Sequence, residues 1–166
     1  MYDPENAGYF IRKNLPDDIL TDDFQDYPLW RTINLDMLRY ILQNHRGPVI
    51  VPMTITNRAY YDQLIGALAE EYDVRHVILY ASQKTLLRRL ASRGEGRRSW
   101  AAMQIGRCLR AFDREITDHK IHTDHMTVDQ VVQAVADYAG LSLPADRRSR
   151  LRRGIDRLVL QWRHIR

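Results

Sequence analysis

Val74-Arg75-His76-Val77-Ile78-Leu79-Tyr80-Ala81-Ser82-Gln83-Lys84-Thr85-Leu86-Leu87-Arg88-Arg89-Leu90 carries two periodicities that meet at one serine. Residues 74–81 form a mostly apolar run that reads as a strand covered on both faces, as in a parallel sheet. Residues 83–92 place Leu86, Leu87 and Leu90 at helical spacing, and Ser82 stands where an N-cap hydroxyl belongs. A buried strand that turns directly into a capped helix is half of a βαβ unit.

The rest of the chain repeats the alternation. Downstream, Ser99 predicts the cap of a helix running to about Ala111, Lys120-Ile121-His122-Thr123 predicts a strand, and Thr127 predicts the cap of a helix over 128–138 ended by Gly140. Upstream, Pro48 to Ile55 is a β-branched run read as another buried strand, and Asn57 is the predicted cap of a helix over 58–72. Helices are also predicted over 4–15 and 29–43, with a polar, turn-rich segment between them. The expected fold is α/β, a three-layer parallel sheet with crossover helices. Ligands of such sheets bind at the carboxyl ends of the strands, so Asp3, Glu5, Met53 to Thr56, Ser82 and Thr123-Asp124 are the places to search.

The chain has 166 residues, enough for one domain with a core of its own. The lone cysteine, Cys108, excludes an internal disulfide framework and reads as packing in a helix. No 18-residue apolar run is present, and the acidic first residues lack the apolar centre of a secretory signal, so a cytoplasmic protein is expected. Charge is uneven. Residues 146–166 hold eight arginines and two aspartates, a balance of +6, so residues 1–145 carry −2 of the chain's net +4. A uniformly basic nucleic-acid-binding domain is therefore the wrong picture, and no nucleic-acid partner is expected. The expected division is an α/β domain over 1–145 and a basic amphipathic helix over 146–166.

The segment after the quoted stretch, Arg93-Gly94-Glu95-Gly96-Arg97-Arg98, joins a helix end to a glycine-broken arginine cluster. Arg93, Arg97 and Arg98 offer planar, permanently charged forks suited to phosphate oxygens, as in a lid closing over a nucleotide. A solvated helix end is the plainer alternative. The phosphate loop that such a lid would serve, G-x-x-x-x-G-K-[ST], is absent, and none of Lys13, Lys84 or Lys120 follows the required glycine spacing. His119, His122 and His125 recur every third residue across a strand and its turn, and no metal is assigned to them.

Longer segments carry a family resemblance. They are Tyr2-Asp3-Pro4-Glu5 with Gly8 and Arg12, Asp22-Asp23-Phe24-Gln25 with Tyr27-Pro28-Leu29-Trp30-Arg31, and Ile50-Val51-Pro52-Met53-Thr54-Ile55. They continue with Thr85-Leu86-Leu87, Arg89-Leu90, Arg93, Glu95-Gly96, Ser99-Trp100-Ala101-Ala102, Arg107-Cys108 and the closing His164-Ile165-Arg166. Together they resemble the tunicamycin-resistance (TmrB-like) branch of the P-loop nucleoside-triphosphatase superfamily. The resemblance implies a sheet of P-loop kinase type and ATP-dependent phosphorylation or sequestration of a nucleoside antibiotic. It implies ATP and Mg2+ as cofactors of a complete member, bound by a phosphate loop preceding the position of Asp3. The expectation here is a chain truncated at the N-terminus relative to that family, lacking the first strand and the loop, with no cofactor of its own. The alternative function is a non-catalytic module that holds the drug or a membrane surface.

Candidate residues follow. Asp3 can accept an acceptor hydroxyl proton, with Glu5 beside it, or both can be an ordinary acidic helix start. Arg12, two turns on, suits an anionic acceptor or plain solvent. Tyr27 and Trp30 can line an acceptor pocket or pack in the core. Thr54, at the end of the central strand, is a candidate substrate contact, or strand propensity alone explains it. In the tail, Leu151, Ile155, Leu158 and Trp162 fall on one helical face flanked by arginines. That face fits an anionic membrane surface, where the resemblance implies a peripheral location on the inner side, or a docking face on the domain.

Overall fold

The computed structural model describes residues 1–144 together with Arg152 and Asp156. Helix α1 (Glu5–Asn14) follows Pro4, and α2 (Pro28–Asn44) opens on Pro28, whose missing N–H is no loss in a first turn. Helix α3 covers residues 58–69 and is not uniform, because Asp62–Gly66 is a π-helical turn between two α-helical pieces. The Asn57 side chain caps α3, accepting Ala59 N–H at 2.9 Å. Strand β1 (Val77–Tyr80), α4 (Gln83–Ala91), α5 (Trp100–Arg114), β2 (His119–His122) and α6 (Val128–Ala139) follow. Ser82, Ser99 and Thr127 cap α4, α5 and α6 as their sequence positions predict. Gly140 ends α6 at φ 67°.

The fold is mixed α/β with a small parallel sheet. Among the described residues it has two strands, β1 and β2, in parallel register from Val77↔His119 to Tyr80↔His122. The strand predicted over 48–55 is not formed, and the chemistry of the segment explains why. Tyr2 N–H donates to Ile50 C=O at 2.9 Å. The reciprocal bond of a parallel ladder would come from the amide two residues on, and that residue is Pro52, which has no N–H. Exposure still alternates through 49–55, with Val49, Val51, Met53 and Ile55 turned inward and Ile50, Pro52 and Thr54 outward.

The core lies mainly between α2, α3 and the inner faces of β1 and residues 49–55. Trp30, Leu38, Leu64, Leu68, Ile78 and Ile116 are its centre. Two of its polar side chains are satisfied. Trp30 Nε1–H donates to Pro4 C=O at 3.0 Å, and the fully buried Asn34 accepts from Tyr2 Oη–H at 2.6 Å while donating to Trp30 C=O at 2.7 Å. Gly8 lets α1 approach Phe24, since a Cβ there would stand 2.5 Å from Phe24 Cγ.

Candidate functional site

The carboxyl ends of β1 and residues 48–55 border a cavity of about 310 Å³. Thr54 lies on one side and Leu79-Tyr80-Ala81 on another. Helix α4 contributes Leu86, Arg89 and Leu90, with Arg93 just beyond it, and α5 closes the space with Ile105, Cys108, Leu109 and Phe112. The walls are apolar, with guanidinium groups on the α4 side. Burial pushes the Cys108 thiol above its ordinary pKa, so it is a packing group and not a thiolate.

The polar groups at this end are locked together. Asp124, just after β2, accepts Ser82 N–H at 3.1 Å and the Ser82 hydroxyl at 2.5 Å. These bonds, chiefly that from the Ser82 hydroxyl, hold the carboxyl down to about 2. Ser82 in turn caps α4, so one carboxylate joins the ends of β1, β2 and α4. Arg89 donates to Thr123 Oγ1 at 3.0 Å and to Thr123 C=O at 2.6 Å. Thr123 is itself buried and bonded to Tyr80 C=O.

The lid residues are different. Arg93, Arg97 and Arg98 are exposed, and their side chains make no hydrogen bond or ion pair among the described residues. Arg93 borders this cavity, whereas Arg97 borders a second depression with Lys84, Arg88 and Glu95. The glycines between them are not equivalent. Gly94 has φ 81°, and Glu95 N–H returns to Leu90 C=O at 3.1 Å, the pattern of a Schellman helix end. Gly94 therefore terminates α4 in a left-handed conformation that a side chain would strain.

The remaining candidates separate by how they are occupied. Asp3 Oδ1 accepts Glu5 N–H at 3.0 Å, a local bond that tightens the start of α1, and Glu5 is exposed on the first turn. Arg12 is not held open for an acceptor. Its guanidinium donates to the carbonyls of Thr21 and Asp22 and lies over the Phe24 ring, fastening residues 21–24 to α1. Tyr27 and Trp30 are 7% and 1% exposed and pack in the core, so they do not line the cavity. Thr21 N–H donates to Tyr27 Oη at 2.6 Å, and hydrogen bonding from Thr21, chiefly its side chain, lowers the phenol's pKa. Thr54 does border the cavity, and its carbonyl accepts Gln25 Nε2–H at 2.7 Å. The structure thus brings Thr54 and Arg93 to one space and leaves Arg12, Tyr27 and Trp30 as scaffold. Leu151, Ile155, Leu158 and Trp162 lie outside the described residues.

Several residues were not singled out from sequence. Asp23 accepts Gln25 N–H at 3.1 Å and pairs with Arg107 of α5 at 3.1 Å, joining positions 84 residues apart. Arg31 bonds Gln63 at 2.7 Å and stacks on Tyr60, whose hydroxyl donates to Asp26 at 3.0 Å. Asp22-Asp23-Phe24-Gln25 and Arg107 are visible as motifs, but no local rule pairs them. At the opposite, amino end of the sheet, Asp118 accepts from Tyr61 Oη at 3.1 Å and contacts His76 Nδ1 at 3.0 Å. Burial and the adjacent Asp118 push the Tyr61 phenol up to about 12. This cluster sits away from the carboxyl-end cavity. Among the described residues no three His, Cys, Asp or Glu side chains gather as a metal site, and no helix is long and apolar enough to cross a membrane.

These features define a mixed α/β protein with a small parallel sheet and an arginine-bordered cavity at its carboxyl end. Its backbone is similar to that of a solved structure, the tunicamycin resistance protein of Deinococcus radiodurans. The two share 28% sequence identity at a TM-score of 0.71, over 87% of this chain and 84% of that one. No protein-family model matches the chain, and no curated protein matches it either.

Proposed function

We propose that this chain acts in tunicamycin-type antibiotic resistance by binding the nucleoside antibiotic at the carboxyl end of its sheet. The observation that carries the reading is the likeness to the Deinococcus protein over most of both chains. The cavity supports it. Apolar walls with Arg93 unpartnered among the described residues suit a ligand that joins an apolar part to a polar or anionic one.

Magnesium–ATP does not fit the residues present. It needs a glycine loop whose N–H groups wrap the phosphates, and a lysine within it. Lys13 and Lys84 are exposed on helices, Lys120 pairs with Asp113 at 3.5 Å, and Thr54 supplies no charge for a metal.

A second reading is an ATP- and Mg2+-dependent phosphotransferase of P-loop kinase type, built on a three-layer sheet. Asp3 would orient the acceptor hydroxyl, and Arg93, Arg97 and Arg98 would meet the phosphates. The exposed arginines favour it, and it requires a phosphate loop from outside the described residues. A peripheral location at an anionic membrane surface, through 146–166, belongs to either reading. It predicts pelleting with anionic vesicles at low salt and release as salt rises.

Calorimetry with tunicamycin tests the main reading. Micromolar binding is expected without nucleotide, weakened about tenfold by Arg93→Ala at an unchanged melting temperature. No binding overturns it. A phosphorylated antibiotic in the mass spectrum after addition of magnesium–ATP would favour the phosphotransferase.

A further inference from the structure

Helix α4 carries its cations on opposite faces. The helical repeat turns Leu86, Arg89 and Leu90 toward the cavity described above and Lys84, Leu87, Arg88 and Ala91 away from it. The outer face borders the second depression, of about 390 Å³, whose apolar lining is Leu87, Leu90 and Ala91. Lys84, Arg88 and Arg97 stand around it with one carboxylate, Glu95, a balance of +2. The turn after the helix brings the last two there. Gly94 at φ 81° and the bond from Glu95 N–H to Leu90 C=O fold the chain back beside α4, and Ser99 N–H closes on Gly96 C=O at 3.0 Å.

Arg89, on the cavity face, is spent on Thr123, whereas the side chains of Lys84, Arg88 and Arg97 have no partner among the described residues. Their positions are also unfavourable for the helix. Lys84 stands in the first turn of α4, which holds no acid, where the positive end of the helix dipole disfavours a cation. Arg88 lies one turn on, and like charges at that spacing repel. The wider charge distribution is as uneven. Residues 84–98 hold six Lys and Arg and one Glu, a balance of +5, so the rest of residues 1–145, whose total is −2, carries −7. Positive charge is concentrated on one patch of an otherwise acidic body, and an anion seated in the depression relieves the repulsion.

We propose that this depression is an anion site for a phosphate group, separate from the antibiotic cavity. Lys84, Arg88 and Arg97 meet the phosphate oxygens, the two guanidinium forks by paired bonds and the ammonium as a point charge. Leu87, Leu90 and Ala91 face the remainder of the ligand. The net +2 suits a group with two or more negative charges. This inference is independent of the antibiotic reading, and its test contains neither drug nor nucleotide.

The probe is inorganic pyrophosphate, titrated calorimetrically into the full chain without magnesium. One pyrophosphate binds, and Lys84→Gln with Arg88→Gln weakens it roughly tenfold or more. The melting temperature of that double variant equals or exceeds the parent's, because repulsion is removed. Arg110→Gln with Arg114→Gln, an exposed pair at the same spacing on α5 that borders neither space, leaves binding unchanged. Vesicles of phosphatidylcholine and phosphatidic acid separate the sources of phosphate. Pyrophosphate binding that depends on Lys84 and Arg88 assigns a soluble phosphate. Pelleting with these vesicles that the double variant loses, without pyrophosphate binding, assigns a lipid headgroup. Failure of both arms overturns the proposal. So does pyrophosphate binding that survives the double substitution, equal weakening by the α5 pair, or a fall in the double variant's melting temperature.

Discussion

Residues 1–69 and residues 77–139 are both helix-rich, yet they close to different degrees. In the first region Arg12, Arg31, Arg39 and Arg58 are all engaged. Arg12 bonds the 21–22 carbonyls, Arg31 bonds Gln63 and stacks on Tyr60, and Trp30 and Leu64 are no more than 1% exposed. In the second, the side chains of Arg93, Arg97 and Arg98 have no partner among the described residues, while exposed apolar side chains occur in both regions, Phe10 and Tyr40 as much as Trp100 and Met103. The difference teaches where each job is done. Packing in the first region stores stability, and the second keeps a cluster of positive charge open for something that is not part of it.

Substitutions can break that contrast. Trp30→Ala should have the largest effect, because it opens a cavity in the core and strips Pro4 C=O of its donor. A loss of about 3–5 kcal/mol in urea unfolding is expected. A loss under about 1 kcal/mol would mean the first region is not the stable one. Gly8→Ala comes next. The new methyl meets the Phe24 ring, and overpacking of this kind costs about 1–3 kcal/mol. Phe24→Leu in the same background should restore part of it, since a smaller side chain gives way.

A pH series sharpens the comparison at the sheet end. The Asp124 carboxyl sits at about 2 in the fold, below its ordinary 3.8. A depressed carboxylate stabilises the fold fully above its unfolded pKa. The contribution disappears as pH falls from about 4 through 2, because both states then bind the proton. Asp124→Asn should therefore lower the melting temperature at pH 7 and converge on the wild type toward pH 2. Parallel curves would show that the bonds to Ser82 do not depend on charge. The smallest stability effects belong to the lid. Arg93→Ala, Arg97→Ala and Arg98→Ala should each stay within about 0.5 kcal/mol of the parent. A larger loss from any of them would make that arginine part of the scaffold and remove the contrast.

Much of the helical framework was legible from short stretches. Ser82, Ser99, Asn57 and Thr127 cap helices where the sequence places them, and Gly140 ends one, because a cap needs only its neighbours two or three residues away. The 48–55 segment predicts a strand that does not form, for a reason visible only in pairing. β-branched composition is a statement about side chains, whereas a strand needs backbone partners, and Pro52 withholds one.

What the sequence determined by itself is therefore local: the order of helices, the two parallel strands with their carboxyl-end turns, and the arginine-rich segment between α4 and α5. The tertiary structure alone decided which charged groups are already spent. Arg12 and Arg93 look alike in the chain, each on or just past a helix with apolar neighbours. One is held by two carbonyls and an aromatic ring, and the other borders an open cavity. Likewise, Asp23 meets Arg107 only after the chain has folded back across 84 positions. Caps and periodicities act within a few residues, while the partner of an arginine is set by packing between distant elements, which no local pattern encodes.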